Sequence, residues 1–165
     1  YYEYRQRIEA LLAEKRSANI ELEVSRAEDV LTIHAVADVA NMLEDDGGAT
    51  AIPALRLRLV LTEELVRYDG GNGVLFNRAV VRDFPGGLEG KQFSDGQAKI
   101  DLDLNVENVR SRVNSYLRGI SQKLAVQCLR PLPKLSLAQL AVVAFVQDDA
   151  TKRVLHAVQV AVPQR

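Results

Sequence analysis

The chain has 165 residues, enough for one domain with a sizeable core. Its 47% hydrophobic and 26% charged residues are ordinary for a globular protein and exclude a disordered chain. With 21 Lys and Arg against 22 Asp and Glu, the net charge is -1, which excludes a global attraction to nucleic acid or anionic lipid, and no apolar run approaches the ~20 residues that span a bilayer.

The chain opens Tyr1-Tyr2-Glu3-Tyr4 without an initiator Met, and reads as a piece of a longer protein. Residues 1–16 predict a helix, because Ile8, Leu11 and Leu12 fall on one face and Tyr1 and Tyr4 extend it. Residues 1–17 are therefore expected to be a helical lead-in, either a linker to a preceding domain or a lid on this one. Residues 18–165 are expected to form a single domain.

Strands dominate from about residue 18. Ile20, Leu22 and Val24 alternate with Glu21, Glu23 and Ser25, the period-2 pattern of a half-buried strand. Ala27-Glu28-Asp29 turns the chain into the partner strand Val30 to Val36, and Asn41 to Thr50 reads as an acidic, Gly-rich loop. Leu55 to Arg67 predicts a long strand with Leu55, Leu57, Leu59 and Leu61 on one side and Arg56 and Arg58 on the other. The doublet Glu63-Glu64 disturbs that alternation and suggests a bulge or register change.

Asp69-Gly-Gly-Asn-Gly73 reads as a turn, since Gly and Asn accept positive φ at little cost. Val74 to Asp83 returns as a strand, Phe84-Pro-Gly-Gly87 ends it, and a Gly- and charge-rich loop follows. Gln97 to Leu104 alternates again. Residues 106–122 predict the second helix, with Val106, Val109, Val113, Tyr116, Leu117 and Ile120 at steps of three and four and Asn105 as N-cap. The lone Cys128 cannot form an internal disulfide and reads as a buried small hydrophobe, and Pro131 and Pro133 punctuate the way to a final hairpin. That hairpin has two β-branched runs flanking the polar turn Asp148-Asp149-Ala150-Thr151.

Seven strands, one leading helix and one inserted helix predict a mainly β, two-sheet antiparallel β-sandwich of immunoglobulin-like layer architecture. The absence of βαβα alternation disfavours a doubly wound parallel sheet.

No catalytic constellation emerges from the residues. His34, His156 and Cys128 are scattered over three elements without the spacing of a zinc site, so neither a metal nor a cofactor is expected. Glu63 and Glu64 are adjacent on a strand and face opposite ways. An inward carboxylate there needs a partner, which Arg82 could supply. Glu63, Glu64, Asn72 and Arg82, with the Gly70–Gly73 loop, are the candidate binding residues of a ligand-binding or enzymatic reading. Asp101 and Asp103 share a strand face, and with Asp45 and Asp46 could supply oxygen ligands in a calcium-dependent adhesion reading, although no EF-hand spacing is present. Gly70-Gly71-Asn72-Gly73 lacks the Lys-Ser/Thr ending of a phosphate-binding loop. Arg110, Arg112 and Arg118 read as a solvated helix face rather than a nucleic-acid stripe.

The run Val142-Val-Ala-Phe-Val-Gln-Asp-Asp-Ala-Thr-Lys-Arg-Val-Leu-His-Ala157 resembles the C-terminal segment of secreted bacterial proteins related to the Omp28 outer-membrane family. Leu57 to Arg82 resembles that family's central hairpin, and Ala18-Asn-Ile-Glu-Leu22 its entry. The family's central hairpin often carries histidines before its Val-Val-Arg, where this chain has Phe76, Asn77, Arg78 and Ala79. The resemblance implies a C-terminal β-sandwich in an extracytoplasmic protein, preceded by a thioredoxin-like domain as partner. No Cys-x-x-Cys occurs here, so no redox site comes with it. The reading that combines these signals is a non-catalytic interaction or scaffolding module of a larger exported protein.

Overall fold

Residues 2–13, 17–39, 54–67, 73–124 and 135–164 are described by the computed structural model. The alternating segments at the start of the domain form strands β1 (Asn19–Ala27) and β2 (Val30–Asp38), joined by a two-residue turn with Glu28 at φ 52. Strand β2 also pairs with the later strand β6 (Gln97–Asn105), giving the antiparallel order β1-β2-β6. Register puts Ile20, Ala37 and Ala98 in one row and Val24, Ile33 and Leu102 in another. One face of this sheet is therefore apolar by alternation alone.

The second sheet is built around β3 (Leu55–Arg67). Leu55, Leu57, Leu59 and Leu61 are fully buried on its inner face. Strand β7 (Leu140–Asp148) lies on one side, matching Leu57 with Val146, Leu59 with Ala144 and Leu61 with Val142, and β8 (Val154–Ala161) closes the hairpin. On the other side β3 is shared by two strands, β4 (Phe76–Asp83) along its second half and the two-residue β5 (Lys91–Gln92) along its first. All pairings are antiparallel, and the two sheets bury one continuous cluster between them. The molecule is a two-sheet antiparallel β-sandwich with two helices among the described residues.

Strand β5 is absent from the sequence reading. It is two residues long inside a Gly- and charge-rich loop, too short to show any period. Close packing makes it possible: Gly90 has φ 64, and a Cβ there would lie 2.4 Å from the Leu57 carbonyl oxygen. The irregularity expected at Glu63-Glu64 exists but falls two positions earlier, between Leu61 and Thr62, where β4 carries Arg82 as an extra residue.

Helix α1 (Tyr2–Ala13) buries none of its residues. Helix α2 (Val106–Leu124) starts where β6 ends. Asn105 caps it by accepting from the Asn108 amide at 2.9 Å, and Val106 and Val109 enter the core. The turn between β7 and β8 is locked by Asp148, which accepts from the Ala150 amide and the Thr151 hydroxyl and has its carboxyl pKa lowered chiefly by the latter. Asp45, Asp46, Asn72, Cys128, Pro131 and Pro133, and the Asn41–Thr50 loop, lie outside the described residues.

Candidate functional site

Alternation along β3 decides what Glu63 does. It shares the inner face with Leu57, Leu59 and Leu61 and is only 2% exposed. A carboxylate so placed must be paired and hydrogen-bonded. Arg82 supplies the pair, with Nη2 at 2.7 Å and Nε at 2.8 Å from Glu63 Oε2, and the Ser136 amide donates to Oε1 at 3.0 Å. The bulge in β4 is what admits this contact, because an extra residue re-aims a side chain that strict alternation would fix. Three chain segments meet on one carboxylate: β3, β4 and the approach to β7.

Glu64 faces the opposite way and accepts from Gln159 Nε2 at 2.7 Å. The two glutamates are thus separated by the sheet and do not form an acid–base pair. The structure brings together Glu63 and Arg82, sends Glu64 elsewhere, and leaves Asn72 outside the described residues.

Arg82 also lines a groove of about 400 Å³ between the edge strand β4 and helix α2. Its apolar walls are Val81 and Phe84 on the strand side and Val113, Tyr116 and Leu117 on the helix. Asp83 and Arg112 span it as an ion pair. Its charged lining residues are therefore matched, Arg82 with Glu63 and Arg112 with Asp83, and the chemistry the groove offers is apolar. Tyr116 is 67% exposed, and Val81 and Phe76 on β4 are also exposed. The apolar stripe that predicts α2 divides between the core, which takes Val106 and Val109, and the groove, which takes Val113, Tyr116 and Leu117.

The other suggestive residues sit elsewhere. On the outer face of the first sheet, Glu23, His34 and Asp101 align across three strands. His34 Nδ1 hydrogen-bonds Asp101 Oδ1, and Lys99 lies 3.1 Å from Asp101 Oδ2. The His34 bond, then Lys99, hold the Asp101 carboxyl below its usual pKa. A depressed carboxyl contributes stability above its unfolded pKa and loses it as pH falls through the folded value. Asp103 accepts from Thr32 Oγ1 at 2.7 Å. His156 lies on β8 opposite Val146, far along the chain order from that row. Among the described residues no group of three or more His, Cys, Asp or Glu side chains could hold a metal ion. No described helix is long and apolar enough to cross a membrane.

Fold and site together define a two-sheet β-sandwich carrying an apolar groove at a sheet edge. No family model matches the chain, and no curated protein matches it. Among solved structures, the chain is similar to a domain of the outer membrane lipoprotein Omp28 from Porphyromonas gingivalis, at 16% identity over 92% of this chain and 93% of that one, with a TM-score of 0.49.

Proposed function

We propose that this chain is a non-catalytic β-sandwich interaction module of a larger exported bacterial protein, and that its β4–α2 groove packs against the preceding part of the same protein. The observation that carries this reading is the groove itself. Its carboxylates and guanidiniums are consumed by one another, which leaves Val81, Phe84, Val113, Tyr116 and Leu117 as its available contacts. Val81 and Tyr116 are exposed and Phe84, Val113 and Leu117 half-buried, and apolar side chains gathered along a surface groove mark a contact surface rather than chemistry. What supports the exported setting and a thioredoxin-like preceding domain is the motif resemblance of the hairpins Val142–Ala157 and Leu57–Arg82, which implies both.

Hydrogen exchange tests the reading when this chain alone is compared with the longer protein that contains it. Amides of β4 and of the Val109–Leu117 part of α2 are expected to exchange more slowly in the longer protein. Identical exchange in both would remove the proposal. Cell fractionation tests the setting, and recovery of the longer protein in the cytosol would count against export.

A further inference from the structure

Among the described residues other than glycine, the left-handed backbone occurs at Glu28, Ala79, Asp95 and Lys152. Glu28, Asp95 and Lys152 lie in the connections between strands, where the chain reverses. Ala79, at φ 49, lies inside β4. The register is the same on both sides of it, with Leu65 opposite Arg78 and Glu63 opposite Val80, yet Glu64 and Ala79 are not themselves paired. A left-handed residue turns the backbone out of the line of an extended strand. It also disfavours any residue with a Cβ, and alanine has no polar side chain to compensate locally. Such a conformation inside a strand marks a place where the strand is deliberately interrupted.

Strand β4 is also the last strand on its side of the sheet. A free edge carries unpaired N–H and C=O groups and is a template for pairing with another molecule. Val74, Leu75, Phe76 and Val81 are exposed on and just before this strand, so pairing here would also bury apolar surface. The regular stretches are short instead. Ala79 leaves Phe76–Arg78 on one side and Val80–Val81 on the other, and the extra residue Arg82 ends the second stretch. In an antiparallel ladder only alternate residues aim both backbone groups at one neighbour, so stretches this short offer an incoming strand one or two residues each. Past Arg82, helix α2 stands beside the strand across the groove, with Arg112 bonded to Asp83.

We propose that the left-handed step at Ala79 guards the free edge of β4 against strand addition by a second copy of this chain. Without it, Phe76 to Val81 would form one regular run on an apolar, uncovered edge. Arg82 and α2 close the remainder of the edge, and Ala79 closes the part that nothing covers among the described residues. The guard does not rest on the function proposed for the groove, and its test uses this chain alone.

Ala79→Val favours extended backbone, because a β-branched side chain resists the left-handed region. Ala79→Thr makes the same change with a polar side chain, and Ala79→Gly accepts the left-handed backbone without strain. Sedimentation and amide exchange of the 165-residue chain and these variants are followed from micromolar to millimolar concentration. Ala79→Val and Ala79→Thr are expected to associate as concentration rises, with amides of β4 exchanging at least ~10-fold more slowly in the associated form. The parent chain and Ala79→Gly are expected to show no such slowing. Ala79 is exposed, so neither β-branched variant removes a buried side chain, and unchanged exchange in β7 checks that the fold is kept. Folded β-branched variants whose β4 amides exchange as in the parent at every concentration would overturn the guard. So would association that leaves those amides unprotected, or slowing that grows with concentration in the parent. Failure of both variants to fold would overturn it as well, since the left-handed step would then serve the folding of the single chain.

Discussion

The residue that organises this molecule's interior polar chemistry is Arg82, and only an inserted residue in β4 lets it do so. Glu63 is held inside by alternation with the leucines of β3 and cannot turn to solvent. Removing one member of a buried pair leaves the other charged and unpaired, which costs far more than the pair itself contributes. Arg82→Ala is therefore expected to destabilise the fold by ~3–5 kcal/mol in urea denaturation, since Arg82 is itself only 11% exposed in its side chain. A cost below ~1 kcal/mol would show that water reaches Glu63 and solvates it. That an inward glutamate would need an arginine was legible in the residue order. Which face Arg82 would present was not, because a bulge resets the period at a point no composition marks.

At the scale of elements, long alternating strands were the most readable part. Leu55–Arg67 and the closing hairpin carry enough residues for the period to be unambiguous, and Asn105 announced the start of α2 through its capping chemistry. Strand β5 was hidden because its partner, not its own sequence, makes it a strand. Its approach to β3 depends on Gly90, which needs both a left-handed backbone and the absence of a Cβ. Gly87 needs only the backbone, as nothing lies within 4 Å of the position its Cβ would take. Gly90→Ala should therefore lower stability more than Gly87→Ala, by an extra ~1–3 kcal/mol, measured as paired thermal denaturation curves. Equal losses would mean that strain alone matters and that β5 is not tightly docked.

For the whole molecule, the core cluster among the described residues forms without the N-terminal helix. Both sheets, together with Val106 and Val109 of α2, form the buried cluster, and no residue of α1 joins it. Deleting residues 1–16 is expected to leave the melting temperature within ~2 °C. A larger fall would place the helix against the sandwich in solution. Charge follows a similar division of labour: the outer row of His34 and Asp101, the Arg58–Asp149 clamp and the Glu63–Arg82 pair are each satisfied locally.

Sequence by itself determined the class of this protein. Alternation with period 2 writes which face of each strand is buried, and with few helical residues to cover them, two such sheets bury their apolar faces against each other. The order of strands within the sheets, the sharing of β3 by β4 and β5, and the groove against α2 were decided only by the tertiary structure. Those depend on contacts between residues far apart in the chain, such as Arg112 with Asp83 and Arg56 with Asp149, and distance in sequence carries no record of them. The same holds for exposure: Tyr116 and Val109 obey one helical period, but packing against the sheets buries Val109 and leaves Tyr116 on the groove wall.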